Sequence, residues 1–212
     1  LLEKDIVLGN ALLDMYVKCG MLRKAHRLLK ELHFRDNVSW NTLIVGYAQF
    51  RQCHNALNCF DEMQVEGLSP SFVTFICILN ICGNIGAIDK GKQIHEEVET
   101  RGLLKEDIVL GNALVDMYAK CGMLRKAQQV LSELPVRDIV SWSSLIGGYI
   151  RHGQGHEALK CFERMRSEGL YPNSVTFICI LLACSRTGLW DEGNSFFRSM
   201  TSKYSISPCA EH

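Results

Sequence analysis

Few residues in this 212-residue chain stand at spacings that could support catalysis. His95-x-Glu97, with Pro208-Cys209-x-x-His212 far downstream, has the outline of a zinc site. In such a site the metal activates a water beside a carboxylate that shuttles the proton. The set is incomplete, because the second cysteine is missing and Cys209 and His212 stand where the chain leaves its last repeating unit. His152, His156 and Cys161 have helical spacing, yet only His54 and Cys59 echo them 102 positions earlier, and Phe50 replaces His152. A zinc site is therefore not expected there. No Walker loop, dinucleotide fingerprint or nucleophile elbow is found. The chain is expected to be neither an enzyme nor the holder of a cofactor. What recurs instead is hydrogen-bonding chemistry without a nucleophile. Asn10, Asn41, Asn112 and Ser143 stand in one register, and Asp36, Ser71, Asp138 and Asn173 in another. Amides and hydroxyls can donate and accept hydrogen bonds toward a ligand, but near a helix start they are also ordinary caps. A third register holds Lys18, Lys120, Arg151 and Arg186, which could meet anionic groups or the negative end of a helix dipole.

These registers come from an internal repeat. DIVLGNALVDMYAKCG, from Asp107 to Gly122, has a twin in DIVLGNALLDMYVKCG, from Asp5 to Gly20, 102 residues earlier. The same offset aligns VSWNTLIVGY (38–47) with VSWSSLIGGY (140–149) and VTFICILNIC (73–82) with VTFICILLAC (175–184). The long period divides into units 6–36, 37–71, 72–107, 108–138, 139–173 and 174–209, of 31, 35 and 36 residues taken twice. The second residue of every unit is valine: Val7, Val38, Val73, Val109, Val140 and Val175. The fifteenth is Gly20, Gly86, Gly122, Gly153 or Gly188, with Arg51 the exception. The twentieth is always tiny, as Ala25, Ala56, Gly91, Ala127, Ala158 and Gly193. Repeats of this length signal stacked supersecondary units.

One unit shows how the elements must lie. Trp142, Leu145, Ile146 and Tyr149 fall at helical spacing and form an apolar stripe on a first helix. Gly153 ends that helix in the left-handed cap conformation. Ala158, Leu159, Phe162 and Met165 form a second stripe, and Ala158 leaves room for the two helices to cross closely. Gly169 and Pro172 stop the second helix. A lone hairpin cannot bury both stripes, so neighbours stack. The expected fold is all-α, a right-handed solenoid of helical hairpins whose first helices line the concave side.

Composition agrees. There are 4 prolines, 47% hydrophobic residues and no apolar run long enough to cross a bilayer, so no membrane partner is expected. Eight of the ten cysteines fall in register pairs (19/121, 59/161, 77/179, 82/184), as repeat positions would. Buried reduced thiols and a reducing compartment are the expectation. Equal numbers of basic and acidic residues, 23 each, argue against a non-specific polyelectrolyte binder. Leu1-Leu2 matches the register of Leu103-Leu104, and no signal or transit segment is expected within these residues. The chain is read as a piece of a longer array, with residues 1–5 and 210–212 belonging to partial flanking units.

The pattern V-x-W-(N/S)-x-L-I-x-G-Y, then G, EAL, F-x-x-M and G-x-x-P, resembles the pentatricopeptide repeat. The alternation of unit lengths, together with DMYAKCG, SWxxLIxGY, GKQIH and LLACSRTGLWDEG, resembles the plant organellar subclass with P, L and S motifs in triplets. His95 belongs to the GKQIH segment of that L motif. The resemblance covers essentially the whole chain, read as S, P, L, S, P, L.

This family reads one base of single-stranded RNA per helical repeat. The resemblance implies that base choice rests on the fifth and last residues of each unit. Asn10 with Asp36 and Asn112 with Asp138 resemble a uracil pair, Asn41 with Ser71 a cytosine pair, and Ser143 with Asn173 an adenine pair. Ile76 with Asp107 and Ile178 with Cys209 leave two units non-selective, since an apolar fifth residue cannot hydrogen-bond a base edge. The implied preference is 5′-U-C-n-U-A-n-3′. The six second-position valines would sandwich bases, or else they are core. Lys18, Lys120, Arg151 and Arg186 would face phosphates, or else serve the helix dipole alone. Two function classes stand. One is recognition of an organellar transcript in a mitochondrion or chloroplast, within a factor for cytidine-to-uridine editing that works with editing cofactor proteins or a deaminase. TSKYSISPCAEH resembles the L motif that precedes a deaminase extension. The other is a tetratricopeptide-like scaffold that holds a peptide in its groove.

Overall fold

The computed structural model describes residues 6–209, and the flanking segments 1–5 and 210–212 lie outside them. Among the described residues the regular structure is helical throughout, with twelve α-helices and a single 3-10 turn. The first helices are α1 (Ile6–Lys18), α3 (Asn37–Gln49), α5 (Phe72–Ile85), α7 (Ile108–Lys120), α9 (Ile139–Arg151) and α11 (Ser174–Thr187). Their partners are α2 (Leu22–Glu31), α4 (Cys53–Val65), α6 (Ile88–Thr100), α8 (Leu124–Glu133), α10 (Gly155–Ser167) and α12 (Trp190–Tyr204).

Local chemistry sets the helix ends. The side chains of Asp36, Asp138 and Asn173 each accept the backbone N–H three residues on, from Ser39, Ser141 and Thr176, and each pair closes a capping box. Asp107 instead accepts from the N–H groups of Val109 and Leu110. The first helices end in one motif. Met21, Gln52, Met123 and Gln154 each donate a backbone N–H five residues back, to Tyr16, Tyr47, Tyr118 and Tyr149. That closure needs a left-handed residue, met by Gly20, Gly122 and Gly153 and, against the usual preference, by Arg51 at φ 57°.

The chain packs as two compact units that divide between Ile85 and Gly86. In the first, α1 packs on α3 and α3 on α5, while α2 and α4 pack on the first helices and meet each other through Lys30 and His26 against Glu62. In the second, α7, α9 and α11 form the same continuous layer, with α8, α10 and α12 seated on it. Successive second helices meet through side chains, as Phe162 of α10 meets the ring of Phe196 of α12. Trp40, Leu43, Ile44 and Tyr47 are buried in one unit, and Trp142, Leu145, Ile146 and Tyr149 in the other. Ala25, Ala56, Ala127 and Ala158 are fully buried at the crossings. Leu159 is only half-buried; Cys161 takes its expected place beside Phe162 and Met165, since it points into the hairpin. The indoles of Trp40 and Trp142 donate to Glu66 and Glu168 at 3.0 Å, and Arg35 and Arg137 pair with the same two carboxylates. Tyrosines bond outward to the preceding second helix: Tyr47 with His26 at 2.9 Å, Tyr118 with His95 at 3.0 Å and Tyr149 with Gln128 at 2.9 Å.

Two substitutions test this packing. A left-handed backbone costs a residue with a side chain about 1–2 kcal/mol, and the greater freedom of unfolded glycine returns up to about 1 kcal/mol. Arg51→Gly should therefore stabilise the chain by about 0.5–1 kcal/mol in urea unfolding; an unchanged or lower midpoint contradicts the assignment. At Gly148 a Cβ would stand 2.6 Å from that of Ala119. Gly148→Ala should cost about 1–3 kcal/mol by overpacking, and a neutral result in the same assay would show that α7 and α9 are not in close contact.

Candidate nucleic-acid interface

The polar register at the fifth residue is built into the caps of the following first helix. The Asn10 amide donates to Asp36 Oδ1 at 3.3 Å, and its oxygen accepts the Ser39 hydroxyl at 2.6 Å. One long period later, Asn112 donates to Asp138 at 3.2 Å and accepts from Ser141 at 2.5 Å. Asn41 donates to the Ser71 hydroxyl at 3.1 Å and accepts from Thr74 at 2.5 Å. The Ser143 and Thr176 hydroxyls stand 3.2 Å apart, and Asn173 accepts from Thr176 at 3.0 Å. Each fifth residue thus meets the closing residue of its own unit through the start of the next helix. Asn112 is 6% exposed, whereas Asn10, Asn41 and Ser143 are half-buried. Ser39, Thr74, Ser141 and Thr176 are fully buried and were missed as participants. A Ser or Thr three residues into a helix reads from sequence as a capping-box partner and nothing more.

Burial pushes the Asp36 and Asp138 carboxyls up. The backbone and hydroxyl of Ser39 or Ser141, the Asn10 or Asn112 amide and the backbone of Val38 or Val140 outweigh it, and both carboxyls are held below their ordinary range.

The second-position valines are not core. Val7 is 74% exposed, and Val38, Val73, Val109, Val140 and Val175 lie between 53% and 58%. Six apolar side chains at one register are thus left facing solvent, beside the polar pairs. In the second unit these features meet in a depression of about 350 Å³. Val140 and Val175 border it, Ser143 and Asn173 lie within it, and Lys120 and Arg151 complete it.

Three of the four cations, Lys18, Lys120 and Arg186, are engaged within the fold. Lys18 pairs with Asp14 at 2.7 Å and Lys120 with Asp116 at 2.6 Å, one turn earlier on the same helix. Arg186 donates to the Ile150 carbonyl at 2.6 Å and so caps the last turn of α9 from α11. Ile76 and Ile178 are half-buried, and neither has a polar group for a base edge. Cys59, Cys82, Cys161 and Cys184 are buried thiols; Cys19 and Cys209 are exposed, against expectation, because they follow helix ends. Burial pushes Cys59 up to about 12 and Cys77 and Cys161 up to about 11, which favours the thiol over the nucleophilic thiolate at neutral pH. His95 is buried against Tyr118, with Glu99 3.1 Å from its other nitrogen, and His212 lies outside the described residues.

The family profile described as PPR repeat family matches residues 35–84 and 137–186, and that described as PPR repeat matches 10–36, 112–139 and 175–204. The chain belongs to the pentatricopeptide repeat family. Among pentatricopeptide repeat-containing proteins of Arabidopsis thaliana, one is 41% identical over 96% of this chain and 37% of its own length. A chloroplastic one is 40% identical over 98% of this chain and 28% of its own. A mitochondrial one is 37% identical over all of this chain and 33% of its own. The chain therefore spans about a third of these relatives. The crystal structure of the pentatricopeptide repeat protein PPR10 from maize superposes with a TM-score of 0.74 at 27% identity, over 97% of this chain and 30% of that one. PPR10 in complex with an 18-nucleotide psaJ RNA element gives the same score at 23% identity, over 95% of this chain and 31% of that one. The all-α repeat solenoid is thereby shared with the pentatricopeptide repeat fold.

A carboxyl held low stabilises the fold above its unfolded value, about 3.9, and that contribution fades as pH falls through the lower folded value. The stability difference between the parent and Asp138→Asn should be constant above about pH 5 and shrink below about pH 4. A difference independent of pH across that range would show that Asp138 is not held ionised by its neighbours.

Proposed function

We propose that this chain is a recognition array for single-stranded RNA that reads one base per repeat. The observation that carries it is the depression in the second unit, where two exposed valines of successive repeats flank Ser143 and Asn173, with Lys120 and Arg151 beside them. A nucleobase needs two apolar faces, a hydrogen-bonding edge and a place for its phosphate, and these residues offer all three. Stacking on aromatic platforms is worth roughly 1–3 kcal/mol per base, and aliphatic walls give less. The exposure of all six valines supports the sandwich, since burial would have left them as core.

The selecting residues are Asn10 with Asp36 for uracil, Asn41 with Ser71 for cytosine, Asn112 with Asp138 for uracil and Ser143 with Asn173 for adenine. The repeats that carry Ile76 and Ile178 accept any base. The preferred sequence is 5′-U-C-n-U-A-n-3′. Chemistry favours uracil at the aspartate sites, because a carboxylate accepts from uracil N3–H and repels the N3 lone pair of cytosine. Lys18, Lys120, Arg151 and Arg186 line the phosphate path, with Arg186 held by α9 and the lysines shared with aspartates.

The array is catalytically silent and belongs to an organellar protein of the P, L and S subclass. It positions a transcript for cytidine-to-uridine editing by a deaminase that acts with it in a mitochondrion or chloroplast. Chloroplastic and mitochondrial relatives and the motif lengths support that setting.

In gel shifts, RNA containing UCNUAN should bind about tenfold or more tightly than RNA with the four specified bases exchanged, a gap of about 1.4 kcal/mol. Equal binding contradicts the code. Replacing Asn112→Ser together with Asp138→Asn should move the third specified base from uracil toward adenine, and an unmoved preference removes that pair from the site.

A further inference from the structure

Four side chains outside the base-selecting set are attached to it. Ser39, Thr74, Ser141 and Thr176, the third residues of their units, have no exposed surface. Three of them donate to the oxygen of an asparagine in the preceding repeat, at 2.6 Å for Asn10 and 2.5 Å for both Asn41 and Asn112. They take part in the caps, accepting the backbone N–H of Asp36, Ser71, Asp138 and Asn173, but a cap does not require them. Helix α7 starts as well as the others with Leu110 in that place, since Asp107 accepts two backbone N–H groups without a hydroxyl partner. The sequence shows where the hydroxyl is used. It follows a polar fifth residue each time: Asn10 with Ser39, Asn41 with Thr74, Asn112 with Ser141, and Ser143 with Thr176. Of the two units with an apolar fifth residue, the one that carries Ile76 is followed by Leu110 in that place.

An amide has two ends, and the two ends of Asn112 are told apart chemically. The Asp138 carboxylate can only accept, so the nitrogen must face it. The oxygen then lies against Ser141, whose hydroxyl must be the donor; it is nearer to Asn112 Oδ1, at 2.5 Å, than to Asp138 Oδ1, at 2.9 Å. With one amide hydrogen on Asp138 and the oxygen on Ser141, the amide has its second N–H left to offer. Ser39 and Asp36 hold Asn10 in the same way. Without the hydroxyl, a single contact of 3.2 Å remains at Asn112, and the amide is free to swing about χ2.

We propose that Ser39, Thr74 and Ser141 are positioning residues for base selection: each locks the asparagine of the preceding repeat so that it presents one N–H donor and not its oxygen to the base. The proposal rests on the RNA-reading function. It adds that discrimination at a nucleotide depends on a buried residue of the next repeat that does not touch the base.

The test uses the 212-residue chain and RNAs carrying each of the four bases at the third specified position, the one assigned to Asn112. Ser141→Ala should narrow the preference for uracil there by about threefold to tenfold, the worth of one hydrogen bond, and leave preferences at the other positions unchanged. Ser141→Thr keeps the hydroxyl and should restore the preference. Uniformly weaker binding with unchanged base ratios would mean that Ser141 only supports the fold, and the proposal fails. If Ser141→Ala does not fold, Ser39→Ala and Ser39→Thr, read at the base assigned to Asn10, decide the matter. Hydrogen exchange of the Asn112 side-chain amide, followed by NMR in the RNA-free protein, separates the two hypotheses. Faster exchange in Ser141→Ala supports the lock even if RNA binding by the parent chain fails, and unaltered exchange overturns it.

Discussion

Each helix begins with backbone N–H groups that have no partner within the helix, and in this chain their satisfaction is shared with the neighbouring repeat. Asp36 and Asp138 cap α3 and α9 and at the same time hold Asn10 and Asn112 of the helix before. A cap is local and strong, so it fixes where a first helix starts. Because the same oxygen binds across the repeat boundary, it also fixes the rise from one first helix to the next. Ser71 makes the corresponding link to Asn41, and Asn173 reaches Ser143 through Thr176. The polar groups that would meet RNA are therefore already held by the fold, and little side-chain entropy is left to lose on binding.

The arrangement also explains why the apolar valines can be left exposed. Val38 and Val140 stand one residue before the buried hydroxyl, on the turn whose N–H groups are occupied by the cap. Their backbone is fixed while their side chains face solvent, which suits a wall against a flat ring. Scattered exposed valines would mean nothing in a globular protein, but here the exposure recurs at one register of every repeat.

Much of the fold was legible because its signals are local. The 102-residue offset exposes the repeat, and the tiny residues mark the helix crossings. The Asp or Asn ahead of a Ser or Thr marks a helix start. Arg51, the odd residue in a glycine register, takes the left-handed backbone anyway, since the closure of α3 through Gln52 and Tyr47 requires it. The site was less legible. A valine at a helix start looks the same in sequence whether it is core or wall, and only solvent exposure separates the two. The bond from Arg186 to the Ile150 carbonyl spans 36 residues and leaves no local trace. The hydroxyls at 39, 74, 141 and 176 were hidden by their own plausibility as caps, and pairing them with the preceding fifth residue is what makes them visible.

The most direct measurement replaces single uridines of a UCNUAN RNA with 4-thiouridine and maps the photocrosslinks by mass spectrometry. Thiouridine at the first specified base should crosslink within the first-helix face around Val7, Asn10 and Val38. Moving it three nucleotides toward the 3′ end should move the crosslink 102 residues along the chain, to Val109, Asn112 and Val140. Crosslinks on the second helices, or crosslinks that do not advance with the base, would contradict the account.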